Sequence, residues 1–165
     1  MMDKPLIQVE NLNVEFALGR TWLGKPPMLR AVNDVSLDIM PGQFFGLVGE
    51  SGSGKTTLGR AILRAVPISS GKITFDDAEV CYDVGSLLKK DLKNYRKLAQ
   101  LIFQDPYASL NHRMPVGRIL EEPFVLHGIG TPTERTARVM SLLGRVGLGA
   151  DAIHRYPHEF SGEQR

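Results

Sequence analysis

Residues Gly49-Glu50-Ser51-Gly52-Ser53-Gly54-Lys55-Thr56 follow the spacing G-x-x-x-x-G-K-[ST], and that spacing suits a phosphate. Glycines let successive backbone N–H groups converge on phosphate oxygens. Lys55 then supplies a charge for the β- and γ-phosphates, and the Thr56 hydroxyl is a hard oxygen ligand for Mg²⁺. By composition alone, the four fixed positions match in a chain of this length roughly once in two hundred times. A nucleoside triphosphate is the expected ligand, with Lys55 also acting in catalysis and Thr56 as a metal ligand.

Such a loop needs a strand before it and a helix after it. Phe44-Phe45-Gly46-Leu47-Val48 reads as a buried strand feeding the loop, and residues 57–63 read as the helix that follows. The positive N-terminal end of that helix adds to the hold on phosphate. Upstream, Ile7, Val9, Leu12, Val14 and Phe16 lie near alternation, which predicts a strand with a bend around Asn11. Val35, Leu37 and Ile39 predict a second half-buried strand, turned into the loop strand by Met40-Pro41-Gly42. Residues 72–75 predict a short strand, 86–96 a charged surface helix, and 98–103 another buried strand.

Beyond Gln104 the strand signals stop. Residues 116–126 and 132–145 read as helices, and Thr131-Pro132-Thr133-Glu134 supplies a cap, a first-turn proline and a reciprocating glutamate. The expected organisation is an ATP-binding core over residues 1–104 and a helical subdomain over 105–165.

Composition narrows the class. The chain has 165 residues, a hydrophobic fraction of 42%, a charged fraction of 23% and a net charge of +2, as expected of a globular protein. No Lys/Arg block long enough for a nucleic-acid stripe stands out, so no nucleic-acid partner is expected. Cys81 is the single cysteine; it excludes an intrachain disulfide and reads as a small buried apolar residue. His112, His127, His154 and His158 lack the spacing of a metal site, and Pro157 keeps His154 and His158 off one helical face. No signal-peptide core or membrane-length apolar run is present, which predicts a cytosolic protein or one on the inner face of a membrane complex.

Taken alone, the phosphate loop also allows a kinase or a GTPase. Three ordered landmarks narrow it: residues 49–57, the stretch Phe103-Gln104-Asp105-Pro106-Tyr107-Ala108-Ser109-Leu110-Asn111, and Phe160-Ser161-Gly162-Glu163-Gln164-Arg165. They resemble the Walker A loop, the Q-loop and the start of the signature motif of ATP-binding-cassette proteins. Arg30-Ala31-Val32-Asn33-Asp34-Val35-Ser36 and Arg155-Tyr156-Pro157-His158-Glu159-Phe160 are similar to the oligopeptide/dipeptide permease ATPases.

The resemblance implies an α/β fold. Its P-loop NTPase core is RecA-like, with an antiparallel β subdomain at the N-terminus and an α-helical subdomain after it. It implies ATP and Mg²⁺ as cofactors, bound by Gly49, Glu50, Ser51, Gly52, Ser53, Gly54, Lys55, Thr56 and Thr57. Phe16 takes the place of the aromatic that stacks on adenine, with Trp22 as a rival for that role. Gln104 matches the residue that touches Mg²⁺ and the attacking water. Ser161 and Gly162 match the element that contacts the γ-phosphate held by the other subunit of a head-to-tail dimer. The implied partners are a second ATPase subunit, identical or homologous, membrane permease subunits, and indirectly a solute-binding protein, at the cytoplasmic face of the membrane.

The resemblance also marks departures. His112 stands where the permease pattern has proline, and Glu163 where the signature has glycine; that glutamate is expected to slow hydrolysis unless it turns to solvent. The Walker B acids and the switch histidine of the family have no match here, so the chain is expected to be the N-terminal part of a subunit, incomplete at its C-terminus and without turnover alone. Two other readings stay open: a soluble cassette ATPase acting on nucleic acid or ribosomes, and a degenerate subunit that does not hydrolyse ATP.

Overall fold

The computed structural model describes residues 4–19, 24, 26–105 and 109–160. Two units form, Met1–Leu101 and Ile102–Arg165.

In the first unit, β1 (Ile7–Ala17), β2 (Met28–Ile39), β3 (Ser70–Asp76) and β4 (Cys81–Asp83) make one sheet of order β2-β1-β3-β4. All three pairings are antiparallel. The bend expected at Asn11 is present. The β1–β2 register shifts between Val9 and Leu12, where Asn11 has φ 48°. Side chains replace the lost ladder bonds. The Asn11 N–H donates to Ser36 Oγ at 2.9 Å, its side-chain amide donates to Asp34 Oδ1 at 3.0 Å, and the Asp34 N–H donates to Asn13 Oδ1 at 3.0 Å. The bend also presses β3 close. Gly71 has φ 89°, and a Cβ there would lie 2.4 Å from the Asn11 carbonyl oxygen, so only glycine fits.

Helices α1 (Lys55–Ile62) and α2 (Lys89–Leu98) pack on this sheet. Val9, Leu12, Val14, Ile73 and Phe75 from the strands bury against Leu58 and Ala61 of α1 and Tyr95 of α2. The Tyr95 ring meets Phe75 edge-on at 5.4 Å, and its hydroxyl donates to the Ile62 carbonyl at 2.7 Å. With the hydroxyl buried, the Tyr95 pKa is pushed up to about 12, because desolvation disfavours the phenolate.

Two expected strands are not strands. Residues 44–48 join no ladder, and Phe44 and Val48 are 103% and 91% exposed. Leu98 ends α2, and the chain beyond it is extended at Ala99 (φ −123°, ψ 122°) but unpaired through Phe103, with Ile102 89% exposed. An apolar β-branched run encodes an extended backbone and a demand for burial, but a neighbouring strand must supply the hydrogen bonds. Among the described residues none does. Cys81 is likewise exposed rather than buried; it opens the short β4 opposite Asp76, whose carboxylate raises its thiol pKa through a hydrogen bond.

In the second unit, α3 (Val116–Leu126) and α4 (Pro132–Arg145) match the ranges read from sequence. Short 3-10 turns at Ala150–His154 and Pro157–Glu159 follow. Val139 and Leu143 of α4 bury with Ala152 and Phe160, and Val116, Leu120 and Phe124 of α3 pack against them. The capping box forms as expected: Thr131 Oγ1 accepts from the Glu134 N–H, and Glu134 Oε2 accepts from the Thr131 N–H at 2.7 Å.

Candidate phosphate-binding site

The glycine loop reaches its shape through backbone that other residues avoid. Gly49, Gly52 and Gly54 have φ of 153°, 83° and 90°. Gly54 is the sharpest case, a left-handed residue directly before α1 whose added Cβ would sit 2.1 Å from the Ala31 carbonyl oxygen. Glycine is therefore required twice over there, by conformation and by the close approach of β2.

Helix α1 starts at Lys55 with no side chain capping it. Its first intrahelical bond runs from the Leu58 N–H to the Gly54 carbonyl at 2.8 Å. The earlier N–H groups of the first turn face outward and carry the positive end of the helix dipole. The Lys55 ammonium folds over the loop, donating to the Gly49 carbonyl at 2.7 Å, the Glu50 carbonyl at 2.5 Å and Ser53 Oγ at 3.2 Å. Three oxygens of the loop thus hold one cation directly before the first turn of α1. Thr56, the second residue of α1, is exposed, and its hydroxyl makes no hydrogen bond among the described residues.

A cleft of about 530 Å³ opens beside the loop. Val48, Gly49, Ser53 and Lys55 line one side, and Arg30, Ala31 and Asn33 of β2 line the other. The β2 wall was not read from sequence. It lies some twenty residues upstream of the loop with no spacing to mark it, and only the β2–Gly54 contact brings it into place. The Arg30 guanidinium donates to Glu15 Oε1 at 2.9 Å and to Asn33 Oδ1 at 3.1 Å.

The other expected site residues are placed less directly. Phe16 pairs with Leu29 across the β1–β2 ladder, one rung from Arg30, and is half-buried against the core rather than lining the cleft. Gln104 is exposed in a bend of the second unit. Ser161, Gly162 and Glu163, together with Trp22, lie outside the described residues. His112 lies in the second unit and is partly exposed.

A glycine loop running directly into a helix, with its lysine folded back onto the loop's own oxygens, has the form of a phosphate-binding P-loop. The family model for ABC transporters matches residues 32–165, and the chain belongs to that family. It is 49% identical to a dipeptide transport ATP-binding protein, DppF, of Lactococcus lactis subsp. cremoris, over 98% of this chain and 50% of that protein. It is 47% identical to an oligopeptide transport ATP-binding protein, OppF, of Streptococcus mutans, again over 98% of this chain and 50% of the relative. The chain spans about half the length of the curated relatives it matches. Among solved structures, the fold matches the ATP-binding cassette MJ0796 in a dimeric post-hydrolysis state bound to ADP and Pi. The TM-score is 0.71 at 22% identity, over 96% of this chain and 64% of that one. That likeness establishes the ABC cassette fold. No helix among the described residues is long and apolar enough to cross a membrane.

Proposed function

We propose that this chain binds Mg·ATP at the 49–57 loop. In the full-length protein it serves as the ATP-binding subunit of a transporter that imports peptides or similar small solutes. The observation that carries the reading is the Lys55 ammonium, held by Gly49, Glu50 and Ser53 over the open N-terminus of α1. Entry of a triphosphate exchanges those neutral oxygens for phosphate oxygens, which bind an ammonium more strongly. The loop amides and the α1 dipole complete the anion site. Thr56, the second residue of α1, would hold Mg²⁺ through its hydroxyl, and the ion would supply charge neutralisation to the triphosphate.

The remaining roles follow the family pattern. Phe16 would stack on adenine, a role that rests on the family pattern alone. Gln104 would be the family's ligand to Mg²⁺ and the attacking water. Ser161 and Gly162 contact the γ-phosphate held by a second ATP-binding subunit, homologous or identical. ATP-driven closure of the two subunits then moves membrane permease subunits at the cytoplasmic face, fed by a solute-binding protein on the far side. The names of the relatives support peptides as the transported class.

The test is a calorimetric titration with Mg·ATP of the wild-type chain and of Lys55→Ala. The variant should stay folded and bind at least about tenfold more weakly, because a charge-assisted phosphate contact is lost at an accessible loop. Equal affinity in a folded variant would sink the assignment.

A further inference from the structure

Helix α2 carries Lys89, Lys90, Lys93, Arg96 and Lys97 against one acid, Asp91, in a chain whose whole net charge is +2. All five basic residues are exposed. At 100° per residue they fall within an arc of about 120°, opposite the buried Tyr95, with Leu92 at its flank and Asp91 outside it. Arg96 donates to the Arg64 carbonyl at 3.0 Å. Lys89, Lys90, Lys93 and Lys97 make no ion pair or hydrogen bond among the described residues. The sequence reads 86–96 as a charged surface helix, but the interposed Asp91, Leu92, Asn94 and Tyr95 hide that its basic residues share one face. Only the helix brings the charges onto one face.

Local stability explains only part of this pattern: Arg96 and Lys97 lie in the last turn, where the helix dipole favours cations. Lys89 and Lys90 occupy the first turn, where the helix dipole disfavours cations, and the N-cap Leu88 offers no side-chain cap. Lys89/Lys93 and Lys93/Lys97 are like-charge pairs at i, i+4, which oppose helix formation. A helix that keeps an arrangement costly to itself has a use for it elsewhere.

We infer that the basic face of α2 docks on an anionic phospholipid surface. Four of the five cations are lysines, compact charges suited to diffuse and mobile headgroup charge rather than to bidentate recognition. The arc is about 12 Å long and carries no aromatic ring, since Tyr95 is buried. It therefore offers no stacking platform for the bases of a single-stranded nucleic acid. The face is independent of the phosphate loop, and the two readings can fail separately.

The experiment is co-sedimentation of the 165-residue chain with vesicles of phosphatidylcholine alone or mixed with phosphatidylglycerol. Binding is expected only to the mixed vesicles and should weaken as salt rises. The triple variant Lys89→Glu/Lys93→Glu/Lys97→Glu should lower the partition coefficient by roughly two orders of magnitude or more. Lys89→Gln/Lys93→Gln/Lys97→Gln, which removes charge without adding repulsion, should fall in between. Both variants should keep the wild-type circular dichroism and ATP affinity, whereas Lys55→Ala should keep vesicle binding. Equal binding to neutral vesicles would overturn the inference. So would unchanged partition of the folded glutamine variant, or tighter binding of single-stranded RNA than of the mixed vesicles.

Discussion

At Gly54 the demands of the site and of the fold meet in one backbone. A side chain there would strain a left-handed φ of 90° and press into the Ala31 carbonyl at 2.1 Å. Gly54→Ala should therefore cost more than the roughly 1–2 kcal/mol of the conformation alone, lower the melting temperature and abolish ATP binding. A variant that melts and binds like wild type would show that the loop has another conformation available. Tyr95 makes a different kind of contribution. Its hydroxyl satisfies the Ile62 carbonyl near the C-terminal end of α1, and Tyr95→Phe removes the donor from that partly buried acceptor. A loss of about 1–3 kcal/mol in urea unfolding is expected. A pKa near 12 means that this donor stays intact through any ordinary alkaline range.

Helix α4 shows how an element is fixed by its first turn. The backbone and hydroxyl of Thr131 donate to Glu134 and hold its carboxyl below the ordinary 4.5. A carboxylate with a depressed folded pKa contributes stability that is fully present above its unfolded value. That stability is lost as pH falls through the lower folded value. The protection factor of the Glu134 amide, with the intrinsic pH dependence of exchange divided out, should therefore fall on acidification below about pH 4.5, with the exposed location keeping the effect small. Thr131→Ala should remove most of this pH dependence and destabilise the helix by about 1 kcal/mol. Protection that is independent of pH from neutral to strongly acid would show that the box contributes nothing in solution.

For the molecule as a whole, the exposed apolar segments matter most. Phe44, Val48 and Ile102 are nearly fully exposed on chain that joins no strand ladder. Unpaired extended backbone with apolar side chains invites strand addition from another molecule. The 165-residue chain is therefore expected to bind a hydrophobic dye strongly and to self-associate as concentration rises. Phe44→Lys/Val48→Lys should reduce both. A monomer with no dye response at high concentration would contradict this exposure.

Two kinds of feature were legible before any coordinates. The phosphate loop was legible because its function requires particular residue types at fixed separations along the chain. So were α3, α4 and the α4 capping box, because a helix closes its hydrogen bonds within itself and its caps lie three residues apart. The bend at Asn11 belongs with them, since a polar residue breaking an alternating apolar pattern is a local signal. Strand pairing at 44–48 and 98–103 was not legible, nor was the fate of Cys81, because a ladder bond or a burying neighbour comes from elsewhere in the chain. The β2 wall of the cleft depends on the contact of Ala31 with Gly54, two residues far apart in sequence that only folding brings together. The basic face of α2 depends on the helical turn that gathers Lys89, Lys93 and Lys97 onto one side. Local spacing carries chemistry and self-contained elements; pairing, burial and shared faces arise from contacts between distant segments and from the geometry they impose.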